Sequence, residues 1–283
     1  MKILITGGYG YVGSKLVLAL KEHDVQIYDM PQDIRNAKEL EEAIKGKDVV
    51  YHLAALAELV YTDAHPQETF EVNVIGTNNI ARICAENNVF LQFVSTSCIY
   101  GNPLETPSIE DSLINPSDTY AMSKAAGEYT VKMWGLAKGL KYNILRFGTV
   151  YGPGISKTMR NDMCIQKFLN AAIYHETMKV TGSGDQNRNF IHIDDLVRAL
   201  VILLGKEICC KTINLTGKES ISVNDIAKLA IEFGAKDIKY VTDRKDDFIN
   251  QEVDISNAKE LLGWEPQITF REGFKKFYQW LAS

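Results

Sequence analysis

Thr6-Gly7-Gly8-Tyr9-Gly10-Tyr11-Val12-Gly13 is the stretch that decides the fold. It follows a short β-branched segment (residues 2–6) and opens a helical pattern over residues 11–22. The glycines permit a tight turn, close backbone approach to a pyrophosphate, and close packing of helix on strand. A helix start adds N–H groups without intrahelical partners and the positive end of the helix dipole. A bare GxGxxG is a weak signal. With strand, turn and helix in order around it, the run reads as a cradle for a dinucleotide. Gly7, Gly10, Tyr11, Val12 and Gly13 are its candidate cofactor-binding residues. A second strand, residues 25–28, ends at Asp29. A carboxylate there accepts hydrogen bonds from ribose hydroxyls and repels a 2′-phosphate, which favours NAD over NADP. Arg35, close by in sequence, weighs the other way.

Working outward, strand patterns recur at 49–52, 91–95 and 142–147, and helical patterns around 72–87 and 120–138. Such alternation predicts an α/β chain of Rossmann type, a doubly wound parallel sheet with helices on both faces. From about residue 152 the character changes. Turn signals cluster at Gly152-Pro153-Gly154 and Gly182-Ser183-Gly184, and helical patterns follow near 165–175, 193–204, 223–233 and 271–282. We therefore expect a dinucleotide-binding domain over 1–152 and a smaller α/β C-terminal substrate domain over 153–283. Some later segments should return to the first sheet. Phe274, Phe277, Tyr278 and Leu281 sit at helical spacing and read as packing residues.

The 283 residues carry 31 Lys+Arg against 36 Asp+Glu, a formal charge of −5. The bulk surface therefore has no attraction for nucleic acid or anionic lipid, and any phosphate site must be local. Apolar runs such as 199–204 fall far short of the roughly 18 residues of a membrane span. The first residues show no export signal. The five cysteines are an odd number without metal-ligand spacing. A cytoplasmic, reducing setting with free thiols and no metal is expected.

Tyr120-Ala121-Met122-Ser123-Lys124 places a phenol and an ammonium four residues apart on one helix face. A cation beside a phenol favours phenolate and lowers a pKa that is ordinarily about 10. Such a tyrosine serves as general base toward an alcohol. The hydroxyl-rich strand end Ser95-Thr96-Ser97 offers a donor for the reacting oxygen. His52 and His192 read as structural, the latter at a helix start.

The order and spacing of these segments resemble the extended short-chain dehydrogenases/reductases. Within them the match is to the NAD-dependent sugar-nucleotide epimerase/dehydratase family, of UDP-glucose 4-epimerase type. The resemblance runs through TGGYGYVG (6–13), DIRN (33–36), DVVYHLAA (48–55), FEVNVIGT (70–77), STSCIYG (95–101), YAMSK (120–124), LRFGTVYGPG (145–154), RNFIHIDDL (188–196) and LLGWEP (261–266). It implies a catalytic set of Thr96, Tyr120 and Lys124. Tyr120 would take the proton of a sugar hydroxyl as hydride leaves the same carbon for NAD, giving a transient 4-keto sugar. Lys124 would bind the nicotinamide ribose. It also implies cofactor contacts from Asp33, Ile34, Leu53, Ala54, Ala55 and Asn73. Substrate contacts are implied for Thr96, Ser97, Cys98, Tyr120, Thr149, Asn161, Arg188 and Arg244, the two arginines meeting the diphosphate of a nucleotide-sugar. The family's usual assembly is a homodimer that pairs two helices per subunit.

Three departures matter. So few residues separate Asp29 from Asp33 that one strand of the family's usual seven should be missing. Thr149 stands where the family has asparagine. Ser97-Cys98 replaces the acidic pair of the dehydratases, which argues against a 4,6-dehydratase. Cys98 leaves open a 3,5-epimerase or reductase acting on a 4-keto sugar. That chemistry needs a second acid/base; Lys157 lies close to the turn, with Asp162-Met163 near the expected site. An inert, buried thiol is the expectation here. A nucleotide-sensing regulator without catalysis is a further alternative, but such relatives generally lose the tyrosine or the lysine, and both are present.

Overall fold

The structure, a computed structural model, describes residues 1–155, 163–242 and 251–283. The first part runs β1 (Lys2–Thr6), α1 (Tyr11–Ala19), β2 (Asp24–Tyr28), α2 (Ala37–Ile44), β3 (Val49–His52), α3 (Leu59–Ala64), α4 (Pro66–Phe70), a π-helical turn (Glu71–Gly76) and α5 (Thr77–Asn87). It continues with β4 (Phe90–Thr96), a 3₁₀ turn (Ser97–Tyr100), α6 (Thr119–Lys138), β5 (Tyr142–Phe147) and β6 (Thr149–Tyr151). Then come α7 (Cys164–Tyr174), β7 (Thr177–Thr181), β8 (Asn187–His192), α8 (Ile193–Leu204), β9 (Lys211–Leu215), β10 (Ser220–Ser222), α9 (Val223–Glu232), β11 (Asp237–Val241), α10 (Ser256–Leu262) and α11 (Phe270–Ala282).

Six strands form one parallel sheet in the order β2-β1-β3-β4-β5-β9. The number agrees with the expected loss of one strand, and β2 is left as an edge. A parallel crossover needs about a dozen residues or more, and the Asp29-to-Asp33 link is too short to hold one. Alternate side chains divide the core between the two faces. Ile3, Ile5, Val49 and Tyr51 pack with Leu16, Leu196 and Leu200 of α1 and α8. Leu4 and Val50 pack with Leu40, Ile44, Ile80 and Val131 of α2, α5 and α6. Consequently β3 is buried along its whole length, as a central strand covered on both sides must be.

The later segments do two things. β9 pairs with β5 in the large sheet, Asn143 opposite Lys211 through Phe147 opposite Leu215. The others form a three-stranded sheet, β10-β8-β6, and a two-stranded one, β11-β7. Around these, Phe168, Leu169, Val180, Ile226, Ala230, Phe274 and Phe277 make a third core, with Tyr278 and Leu281 against it. Asp195, buried at the start of α8, ties this region to the first: its carboxylate accepts from Gln267 N–H at 3.0 Å and Ile268 N–H at 2.8 Å.

Local differences from the sequence pattern have local causes. α1 stops at Ala19 rather than near residue 22, with the Leu20 N–H returning to the Leu16 carbonyl. α2 was not anticipated; its signal is the Asn36 side chain accepting from Glu39 N–H, ahead of Leu40 and Ile44 on the buried face. The helix expected over 72–87 begins as a π turn through Gly76, which has Ile34 packed against it so closely that a Cβ would lie 2.7 Å from Ile34 Cγ1.

Candidate active site

β1 has β2 on one side and β3 on the other, so a crevice opens at the carboxyl ends where the chain order reverses. The glycine turn lies there. Gly7 takes φ +71°, and a Cβ on it would sit 2.7 Å from the Ala54 nitrogen. A Cβ on Gly13 would strike the Gly7 carbonyl oxygen. Glycine is therefore obligatory at both positions, and α1 can start hard against the turn with its first N–H groups facing the crevice. Asp29 braces the turn from behind, its carboxylate accepting from the Tyr9 and Met30 N–H groups, each at 2.8 Å. An ionised carboxylate has about four lone-pair directions, so two backbone donors leave it able to receive ribose hydroxyls. Arg35 is committed elsewhere: its guanidinium meets Asp33 at 2.6 Å and Glu71 at 3.4 Å, and it holds the Asp33 carboxyl below its ordinary range.

A cleft of about 820 Å³ runs from this turn along the strand ends. It is lined by Gly7, Gly10, Tyr11, Val12, Gly13, Leu53 and Ala55 on the cofactor side, and by Thr96, Cys98, Tyr120, Thr149 and Arg188 on the other. Twelve of the residues singled out from sequence thus share one cavity. Asp29, Asp33, Ile34, Ala54, Asn73, Ser97 and Lys124 lie outside its lining. Ile34 has its side chain in the core beside Leu40, and the Ser97 carbonyl receives the Gln251 amide at 2.8 Å. Asn161 and Arg244 fall outside the described residues, as do Lys157 and Asp162.

Tyr120 and Lys124 occupy the first two turns of α6, which Asp118 caps by accepting from Ala121 N–H at 2.7 Å. Tyr120 faces the cleft, and Lys124 lies one turn deeper, 2% exposed, with its ammonium 4.4 Å from the Phe93 ring centre. Burial pulls this ammonium down to about 7, against the upward pull of Glu128 one turn further on. Glu128 is itself buried and gripped by Arg146 through two bonds of 2.9 and 2.7 Å. Arg146 also donates to Tyr100 Oη and to the Glu110 carbonyl, each at 2.8 Å. Behind Lys124, His52 is wholly buried between the Thr6 and Thr77 hydroxyls at 2.8 and 2.9 Å, and burial drives it well toward the neutral form. Its role is structural, as expected. His192 is structural too: its side chain caps α8 by accepting from Asp194 N–H at 3.3 Å.

Asn73 does not line the cleft; it fixes the parts that do. Its side chain accepts from Leu56 N–H at 2.8 Å and donates to the Leu56 carbonyl and to Ser123 Oγ, each at 2.9 Å. Ser123 Oγ in turn donates to the Tyr120 carbonyl at 2.7 Å. The segment after β3 is thereby bolted to the helix turn that carries Tyr120 and Lys124. On the other wall, the Thr96 Oγ1 accepts from Cys98 N–H at 3.2 Å. Burial pushes the Cys98 thiol up from its ordinary value, with the Thr96 hydroxyl and Arg188 pulling back.

Sequence reasoning missed Asp63 and Asp118 as cleft residues and took Ser95 only as part of a hydroxyl-rich strand end. Asp63 accepts from Thr119 N–H at 3.2 Å and so works beside the α6 cap. The Ser95 hydroxyl is buried in the cleft wall without a protein partner. Its strand position next to Thr96 was the available signal.

A glycine turn at a sheet's reversal point, with a tyrosine–lysine pair across the cleft, defines a dinucleotide-dependent enzyme of short-chain dehydrogenase/reductase type. The profile of the NAD dependent epimerase/dehydratase family matches residues 3–215. A Methanocaldococcus jannaschii protein with the provisional name UDP-glucose 4-epimerase is 32% identical over 307 residues, covering 99% of this chain and 98% of that one. UDP-glucuronic acid decarboxylase 1 of Xenopus tropicalis is 29% identical, covering 97% of this chain and 70% of its own. Among solved structures, UDP-glucose 4-epimerase with UDP-glucose from Thermotoga maritima superposes with a TM-score of 0.93 at 27% identity, over 99% and 98% of the two chains. The chain belongs to the NAD-dependent epimerase/dehydratase family. NAD is its cofactor class, and the cradle closed to any Cβ, the Asp29 carboxylate and the engaged Arg35 all fit it.

Proposed function

We propose that this protein is a nucleotide-sugar 4-epimerase acting on a UDP-hexose of the glucose/galactose kind, through a 4-keto sugar. The carrying observation is that Thr96 and Tyr120 line the same cleft as the glycine turn, with Lys124 buried one turn behind Tyr120. The residues that would hold NAD are those of the turn together with Asp29, Asp33, Ile34, Leu53, Ala54, Ala55, Tyr120 and Lys124, with Asn73 setting their spacing. Bound there, NAD supplies a reversible hydride acceptor. Tyr120 removes the proton from the 4-hydroxyl and gives it back to the same oxygen after the sugar has turned over in the cleft. Thr96 holds the reacting oxygen. Lys124, when protonated, places a positive charge behind the base, and Arg188 pairs with the diphosphate.

The Ser97-Cys98 pair supports the epimerase over a dehydratase, since neither residue is a carboxylic acid. Cys98 lines the cleft, which keeps a 3,5-epimerase or reductase as second reading. Its raised thiol argues for an inert role. Residues 1–152 carry the cofactor and 153–283 mainly the substrate. The setting is cytoplasmic; in the described residues no helix is long and apolar enough to cross a membrane. A homodimer fits the outer face of α6. Met122, Ala126, Tyr129, Met133 and Leu136 follow one another at intervals of four and three, the seam spacing of paired helices. Four of them are more than half exposed, from 51% at Met133 to 92% at Leu136.

The test is incubation with UDP-galactose without added cofactor, followed by separation of the hexoses. UDP-glucose should form, and Tyr120→Phe should slow it by about 10²–10⁴-fold. No interconversion of any UDP-hexose overturns the proposal. Carbon dioxide released from UDP-glucuronic acid would point to decarboxylation instead, and loss of turnover in Cys98→Ala to the second reading.

A further inference from the structure

Cys209 and Cys210 take no part in the chemistry above. Both are exposed, on the loop between α8 and β9, and their sulfurs stand 3.1 Å apart. Neighbouring side chains on an extended chain point to opposite faces. These two converge because Cys210 adopts φ +57°, in the left-handed region that side-chain-bearing residues seldom enter. The bend is built in. The Cys210 N–H donates to the Tyr142 carbonyl at 2.5 Å. The buried Asn143 side chain brackets the pair, donating to the Ile208 carbonyl at 3.1 Å and accepting from Lys211 N–H at 3.2 Å. Two residues of the β5 start thus hold the backbone on both sides of the two thiols.

We propose that Cys209 and Cys210 form a bidentate thiol site for a soft, thiophilic ion with bent coordination, of the trivalent-arsenic class. Paired sulfur ligands select soft ions. With a sulfur–ion bond of about 2.3 Å, sulfurs 3.1 Å apart subtend about 85° at the ion. A linear two-coordinate ion would need them about 4.6 Å apart, and a tetrahedral one about 3.8 Å, at the same bond length. The bite therefore suits a pyramidal, three-coordinate centre whose third ligand comes from outside the protein. The site is at the amino ends of β5 and β9, while the cleft is at the carboxyl ends. At about 3.3 Å per residue, the length of β5 separates them by roughly 16 Å. Occupancy at the thiols is thus independent of cofactor and substrate.

The probe is phenylarsine oxide on the folded protein. Its arsenic–oxygen bond is exchanged for two arsenic–sulfur bonds, and the two thiol protons leave with the oxygen as one water, with no change of oxidation state. Intact mass spectrometry should show one phenylarsenic adduct at equimolar reagent. Cys209→Ser and Cys210→Ser should each weaken its retention at least 100-fold, while Cys98→Ser keeps it. Circular dichroism of the serine variants confirms that they fold. Absence of an adduct, its persistence in either serine variant of the pair, or its loss in Cys98→Ser overturns the proposal.

Discussion

Lys124 illustrates what the proposed chemistry asks of a single residue. A buried ammonium is costly, and here burial lowers it from 10.5 to about 7. The folded protein sheds this proton near pH 7 and the unfolded chain near 10.5. Between those values the unfolded state binds more protons, so stability climbs with pH across that window. Lys124→Met should therefore raise the thermal midpoint, strongly at about pH 6 and much less at about pH 9.5, while activity is lost. Calorimetry at the two pH values checks this, and an equal gain at both contradicts it. At this scale the sequence was informative wherever residue type and local spacing point to a position, as for Gly7, Gly13, Thr96 and Tyr120, which all line the one cleft. It was silent on Asn73's clamp to Ser123, because a hydrogen bond across 50 residues leaves no local pattern.

Among the elements, α6 and β5 are joined by the Glu128–Arg146 pair, whose side chains are 2% and 3% exposed. Removing one partner strands a buried charge, whereas removing both takes the two charges out together and forgoes only the Arg146 bonds to Tyr100 Oη and the Glu110 carbonyl. Arg146→Met should cost about 3–5 kcal/mol, and the double variant Glu128→Leu with Arg146→Met much less. Urea unfolding with comparison of slopes distinguishes the two. Strands such as β1 and β3 and the helix α8 were legible because short runs rich in Ile and Val and a clean amphipathic period set their ends. The short strands β6, β10 and β11 were not: they have three to five residues each and take their conformation from partners remote in sequence. At the π turn before α5, Gly76 admits Ile34 closer than any Cβ would allow, a contact between residues far apart in the chain.

For the whole molecule, the α6 seam sets the expectation for assembly. Tyr129→Glu with Met133→Glu should halve the mass measured by light scattering and leave the fold intact; an unchanged mass would remove that face from the interface. The doubly wound sheet and its missing strand were readable from the spacing between motifs. The substrate side was less so, since the cleft wall there draws on β8 and the end of β4, far apart in the chain. The Asn73 brace has a mechanical consequence for this architecture. With one amide gripping both the floor behind the glycine turn and the helix of the phenol, neither can shift without dragging the other. The gap between the cofactor crevice and the Tyr120 ring is then a dimension of the scaffold, set before any ligand enters the cleft.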